Sequence, residues 1–92
     1  MLRVIAYDVG CPRRLRRIAK ICEDYGKRVQ FSLFECWLEK ERLDRLWEQL
    51  ESVVEPQHDR LICYTLDATG VRKRLTAGET MTVTEKQSAL FL

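Results

Sequence analysis

The apolar residues between Arg28 and Leu38 change phase, and that change limits what this chain can become. Val29, Phe31 and Leu33 alternate on odd positions, and Phe34, Cys36 and Leu38 then alternate on even ones. Successive side chains on a strand point to opposite faces, so one straight strand would turn one of the two sets into water. A tight hairpin or a bulge near Ser32-Leu33 resolves the conflict. The segment therefore reads as two strands, 28–31 and 33–38.

The flanking segments complete the pattern. Leu2–Asp8 is a near-continuous apolar run ending in an acid, which reads as a buried central strand. Val9-Gly10-Cys11 is a short turn, and Pro12 suits the first position of a helix, where its missing N–H costs nothing. Leu15, Ile18, Ala19, Cys22 and Tyr25 share one helical face. Gly26 stands where a left-handed C-cap is wanted, so the first helix spans roughly 12–25. Leu43, Leu46, Trp47, Leu50, Val53 and Val54 mark a second amphipathic helix, about 41–54. Leu61–Leu66 is a further apolar strand.

The order is β-α-β-β-α-β, which predicts an α+β, ferredoxin-like fold with the first and third strands central. Leu61–Leu66 is then an apolar edge strand that needs cover. Residues 67–92 include the alternating Thr80–Thr84 and the apolar end Ala89–Leu92. They are expected to supply strand that covers an edge, most simply across a two-fold homodimer. The chain thus reads as one domain, a core over 1–66 and an extension over 67–92 for dimerisation and partner contact.

At 92 residues, 46% hydrophobic and 33% charged, the chain supports one modest core and is not of disordered composition. No apolar run approaches the ~18–20 residues of a membrane span. The start, MLRVIAYDVG, lacks the features of a signal peptide, so a soluble, cytoplasmic protein is expected. Cys11, Cys22, Cys36 and Cys63 form no C-x-x-C pair, which disfavours a structural zinc site and favours reduced thiols acting as small hydrophobes. The net charge of +2 hides its layout. Residues 1–30 carry eight Lys/Arg against three Asp/Glu, whereas 31–59 carry three against eight. Such asymmetry suggests one face for a polyanion.

Three groups of residues could carry chemistry. Asp8 ends a buried strand just before a helix; it is either a capping or Asx-turn carboxylate or a metal ligand. Arg13, Arg16, Arg17 and Lys20 fall on one side of the first helix, opposite Leu15, Ile18 and Cys22, with Arg14 off to one side. That face is either merely solvated or a phosphate-binding surface, since arginine contacts phosphate through a two-pronged fork. Arg28 extends the same end. Most of the aromatics Tyr7, Tyr25, Phe31, Phe34, Trp37, Trp47, Tyr64 and Phe91 match core positions. The aromatic run of an RNA-recognition motif is absent. His58 is the only histidine and lies in a polar loop, so Ser-His catalysis through Ser32 is not expected.

Tyr7-Asp8-Val9, the arginine-rich helix, Tyr25-Gly26, Arg28-Val29-Gln30, Ser32, Phe34 and Glu35 occur in the order of the Y-D-[IV] … Y-G-x-R-V-Q-x-S-[VI]-F-E pattern. In this the chain resembles the small CRISPR-associated Cas2 family, strongly over the first 40 residues and in outline to residue 66. The resemblance implies a homodimer in which the tail of one protomer braces the other's sheet. It implies a Mg²⁺ site from Asp8 of both protomers, and an endonuclease activity on RNA or DNA with Asp8 and Tyr7 as catalytic residues. Ser32 and Phe34 would support that site; Arg13, Arg14, Arg16, Arg17, Lys20 and Arg28 would contact nucleic acid. The implied partners are the CRISPR integrase, duplex DNA and single-stranded RNA, with no membrane. The turn after Asp8 lacks the extra acidic and hydroxyl residues common in the family, and Leu33 replaces the usual Val or Ile. Two roles follow, a DNA-holding bridge in spacer acquisition and a metal-dependent phosphodiesterase. A small-molecule regulatory domain of the same fold is the alternative from a different class.

Overall fold

A computed structural model of the protein describes residues 1–78. Its elements are β1 (Leu2–Asp8), α1 (Pro12–Glu23), β2 (Lys27–Gln30), β3 (Leu33–Trp37), α2 (Lys40–Glu51), β4 (Arg60–Leu66) and α3 (Ala68–Arg72). The sheet order is β2-β3-β1-β4, with every pair antiparallel. This is the ferredoxin-like arrangement, and β4 is an edge strand as expected.

The phase change is resolved by two devices. A turn at residues 31–32 joins β2 to β3, and the register shifts between Arg28 and Gln30. Phe34 and Cys36 then face the same side as Ile5 and Arg3, their partners on β1. On that side Ile5, Ile18, Cys22, Phe34, Cys36, Leu46 and Leu50 are fully buried between the sheet and the two long helices. Burying one such side chain contributes roughly 1.5–3 kcal/mol, so this cluster dominates folding.

Gly26 corrects one expectation. Its φ is not positive, and α1 ends on Asp24 in ordinary helical geometry. The position needs glycine for room, because a Cβ there would collide with the Cys36 Sγ and the Glu35 carbonyl. β2 leaves the helix end in contact with β3, and only a residue without a side chain fits between them.

The opposite side of the sheet carries Val4, Ala6, Leu33, Trp37, Ile62, Tyr64 and Leu66, by register. Trp37 is 64% exposed and Tyr64 58%, so these aromatics are not core, nor is Phe31 at 69%. They sit on the outer sheet face or at the hairpin, and alternation within a strand does not say which face is covered. Residues after β4 do not continue as a strand within the described region. Asp67 caps α3 by accepting the Gly70 N–H at 2.8 Å, and Arg74 pairs with Glu35 at 2.7 Å. The segment 67–74 therefore crosses the outer face from β4 to β3. The alternating Thr80–Thr84 and the apolar Ala89–Leu92 lie outside the described residues.

Candidate nucleic-acid interface

Asp8 is the last residue of β1 and is exposed. Alternation puts it on the outer face, in line with Leu2, Val4 and Ala6, and directly opposite Arg60 of β4. Its carboxylate has no hydrogen-bond or ion-pair partner among the described residues. It does not cap α1: the N-cap is Cys11, and no side chain there accepts a cap bond. The capping reading of Asp8 therefore has no bond behind it.

Just past the turn, α1 begins. Ile18, Ala19 and Cys22 are buried, which turns Arg13, Arg16, Arg17 and Lys20 outward, all four exposed. None of the four makes a hydrogen bond or ion pair among the described residues. Four adjacent cations with free donors, starting at the helix end nearest Asp8, form a surface suited to a chain of phosphates.

Arg14 behaves differently. Its Nε donates to Asp59 Oδ2 at 2.7 Å and its Nη2 to Oδ1 at 3.0 Å. The fork that would grip a phosphate already grips a buried carboxylate, so Arg14 leaves the expected nucleic-acid set. Asp59 is held well below the ordinary carboxylate range, to about 2, chiefly by this hydrogen bond to Arg14. Sequence reading missed Asp59 and Arg60, since only the β1–β4 register and the loop before β4 bring them beside Asp8.

Tyr7, expected beside Asp8, faces the other way. It is buried, stacks on Phe34 with ring centres 6.3 Å apart, and donates its O–H to the Phe31 carbonyl at 3.5 Å. Burial pushes its pKa up, against the opposing pull of Arg28. Its contacts make it a brace for the strand end rather than a proton-transfer group. Ser32 contributes its main-chain carbonyl, which accepts the Tyr7 N–H at 3.2 Å. Arg28 lies over the Phe34 ring at 5.2 Å and the Phe31 ring at 5.8 Å, with its Nε buried and unbonded among the described residues. Its place, opposite Phe34 in the register, is on the helix side of the sheet, away from the Asp8 carboxylate.

All four cysteines are free. Burial pushes Cys22 and Cys36 up to about 12, whereas the Arg14 and Arg13 N–H groups at the start of α1 pull Cys11 down. A groove floored by Leu43, Trp47 and Cys63 carries Asp44, Glu48 and Glu51 at its rim, a charge that repels phosphate. No helix among the described residues is long and apolar enough to cross a membrane.

Comparison with known proteins decides the family. Residues 1–74 match the family model described as CRISPR associated protein Cas2. The chain belongs to the CRISPR-associated Cas2 family. It is 47% identical over 73 residues to the CRISPR-associated endoribonuclease Cas2 of Nitratidesulfovibrio vulgaris, covering 74% of this chain and 72% of that one. It is 42% identical over 71 residues to the CRISPR-associated endonuclease Cas2 of Halalkalibacterium halodurans, covering 72% of this chain and 74% of the relative. The crystal structure of Streptococcus pyogenes Cas2 matches with a TM-score of 0.76 at 34% identity, covering 85% of this chain and all of that one. Membership places the chain in a family whose curated relatives are named as nucleases.

Proposed function

We propose that this chain is the nucleic-acid-binding subunit of a CRISPR adaptation complex. It acts as a homodimer that holds duplex DNA and bridges the CRISPR integrase, and its Asp8 end carries a Mg²⁺-dependent endonuclease activity on RNA or DNA. The observation that carries this reading is the cationic face of α1, where Arg13, Arg16, Arg17 and Lys20 are exposed and without partners among the described residues. Sequence-independent phosphate contact needs only this. The exposed apolar outer face, with Trp37, Ile62 and Tyr64, supports pairing of two copies. The endoribonuclease and endonuclease names of the relatives support the cleavage activity.

One chain offers a cation little. Asp8 is a single carboxylate, and no group of three or more His, Cys, Asp or Glu among the described residues could hold a metal. Mg²⁺ takes one or two carboxylates together with waters and substrate phosphates. The donor set of one chain falls short of this, whereas Asp8 from each of two copies fits it. The free Asp8 carboxylate, on the same face as the apolar strip, suits that arrangement. When bound there, Mg²⁺ supplies positive charge beside a phosphate and a more acidic water. The chain's own part is to grip and orient. Arg13, Arg16 and Arg17 hold phosphates in line along α1, Arg60 adds a cation opposite Asp8, and Tyr7 and Phe34 brace the strand end.

Asp8→Ala and the Arg16→Ala/Arg17→Ala pair test the two halves of the reading. Asp8→Ala is expected to abolish Mg²⁺-dependent cleavage by highly purified protein, with duplex binding unchanged or slightly tighter. Spacer integration with the matching integrase is expected to survive it. If a dimer places about six cations on phosphates, log K against log[salt] slopes near −5, and the arginine pair flattens that slope by roughly 2–4. An unchanged slope would show a solvated face and sink the binding role. Cleavage that persists in Asp8→Ala would sink the metal role.

A further inference from the structure

Asp59 is the most heavily engaged carboxylate at this end of the molecule. Its side chain is fully buried, and four donors converge on it. Arg14 grips both oxygens at 2.7 and 3.0 Å, the Gly10 N–H reaches Oδ1 at 3.4 Å, and the Glu55 N–H reaches Oδ2 at 2.8 Å. These donors come from separate parts of the chain: the turn after β1, the first turn of α1, and the loop that leads into β4. Asp59 is also joined directly to Arg60, which lies opposite Asp8. One carboxylate thus ties a point two residues past Asp8 to a point one residue before Arg60.

The start of α1 is held by its own backbone, the Leu15 N–H donating to the Cys11 carbonyl at 2.8 Å, with little side-chain help. Its N-cap, Cys11, makes no side-chain cap bond, and its first turn contains no acidic residue. A helix N-terminus favours a nearby negative charge, and here that charge comes from across the fold. Gly10 is exposed, and a Cβ built on it would meet nothing within 4 Å, so packing holds the turn at its buried neighbour Val9 but not at Gly10 itself.

We propose that Asp59 is a positioning residue for the Asp8 end: by holding Gly10, Arg14 and Glu55 at once, it sets where Asp8, Arg60 and the cationic face of α1 stand relative to one another. This rests on the reading of that end as the phosphate-handling site. Asp59 touches neither substrate nor metal. It acts through the turn, and it keeps Arg14 off the phosphate surface, so the α1 face reads phosphate with Arg13, Arg16, Arg17 and Lys20 alone.

The test uses the full chain carrying Asp59→Asn, which keeps the volume and loses the charge. Amide hydrogen exchange at Gly10 is expected to rise at least ~10-fold beyond the common rise that the lost ion pair's stability brings to the β1 and β3 amides, because local opening is separate from global unfolding. The kcat of Mg²⁺-dependent cleavage is expected to fall at least ~10-fold with KM within ~3-fold, since small misplacements cost rate rather than binding. Arg14→Lys, which keeps charge but not the fork, is the second variant and is expected to show a smaller rise at Gly10. Unchanged Gly10 exchange in Asp59→Asn would overturn the proposal. So would equal loss of protection throughout the sheet in both variants, which is the mark of a purely stabilising ion pair. If wild-type protein cleaves nothing, the endonuclease reading fails by itself, and Gly10 exchange alone decides the positioning role.

Discussion

Cys11 shows how position sets the chemistry of a single side chain. It stands at the N-cap of α1, where the N–H groups of Arg14 and Arg13 favour its thiolate and lower its pKa. Cys22 and Cys36 have the same side chain, yet burial pushes both up to about 12. Iodoacetamide at neutral pH is therefore expected to label Cys11 first, by about tenfold or more over Cys22 and Cys36, as thiolate fraction and access both favour it. Peptide mass spectrometry after timed quenching reads the order, and prior labelling of Cys36 would contradict it. The four α1 cations and Arg14 make the same point. All five were legible in sequence as basic residues on one helix, but only Asp59, 45 positions away, separates Arg14 from the rest.

Elements depend on contacts that single residues allow. Gly26 lets the end of α1 lie against β3. Gly26→Ala is expected to destabilise the fold by roughly 1–3 kcal/mol, the usual cost of forcing atoms into a packed site. A lower urea midpoint with an unchanged slope would show it; an unchanged midpoint would mean β3 yields at no cost. The Asp59 ion pair links α1 to the loop before β4 and has a pH signature. Its carboxyl is depressed to about 2, below an unfolded value near 3.9, so the folded state binds fewer protons there. Its stabilising contribution is present above about pH 4 and is lost as pH falls through about 2. The gap in thermal midpoint between wild type and Asp59→Asn is expected to be constant from pH 7 to about 5 and to close below about pH 3. A gap that persists at pH 2 would show that the charge is not its source.

The whole molecule has one covered sheet face and one largely bare. α1 and α2 cover the first; across the second runs only the short strap of α3 and Arg74, pinned to Glu35. Trp37, Ile62 and Tyr64 stay exposed on it, 64%, 44% and 58% respectively. Tyr64→Glu leaves the core untouched and puts a charge on that face, on its edge strand β4. It is expected to weaken dimerisation by roughly 30-fold or more, the loss typical of an aromatic anchor, with unchanged far-UV circular dichroism. Sedimentation over a concentration series checks this, and a dimer as tight as wild type would place the contact elsewhere. Just after β4 the chain turns locally: Asp67 accepts the Gly70 N–H and starts the short helix α3, while the strand expected from the tail falls on Thr80–Thr84 and Ala89–Leu92, outside the described residues.

The order and type of the six elements from β1 to β4 were present in the linear pattern, because period 2 and period 3.6 repeats of apolar residues reflect burial directly, whereas the short α3 was not. The phase break between Leu33 and Phe34, the outward arginines of α1 and the lone terminal position of Asp8 needed no coordinates. Register, and so the pairing of Asp8 with Arg60, did not follow from sequence, since many strand alignments bury the same alternating residues. Nor did the fate of Tyr7, whose neighbour Asp8 points to the opposite face, or the outward turn of Trp37 and Tyr64. Asp59 was invisible for the same reason. A carboxylate in a polar loop reads as solvated until folding brings Arg14, Gly10 and Glu55 around it, and only those converging donors offset the cost of burying its charge.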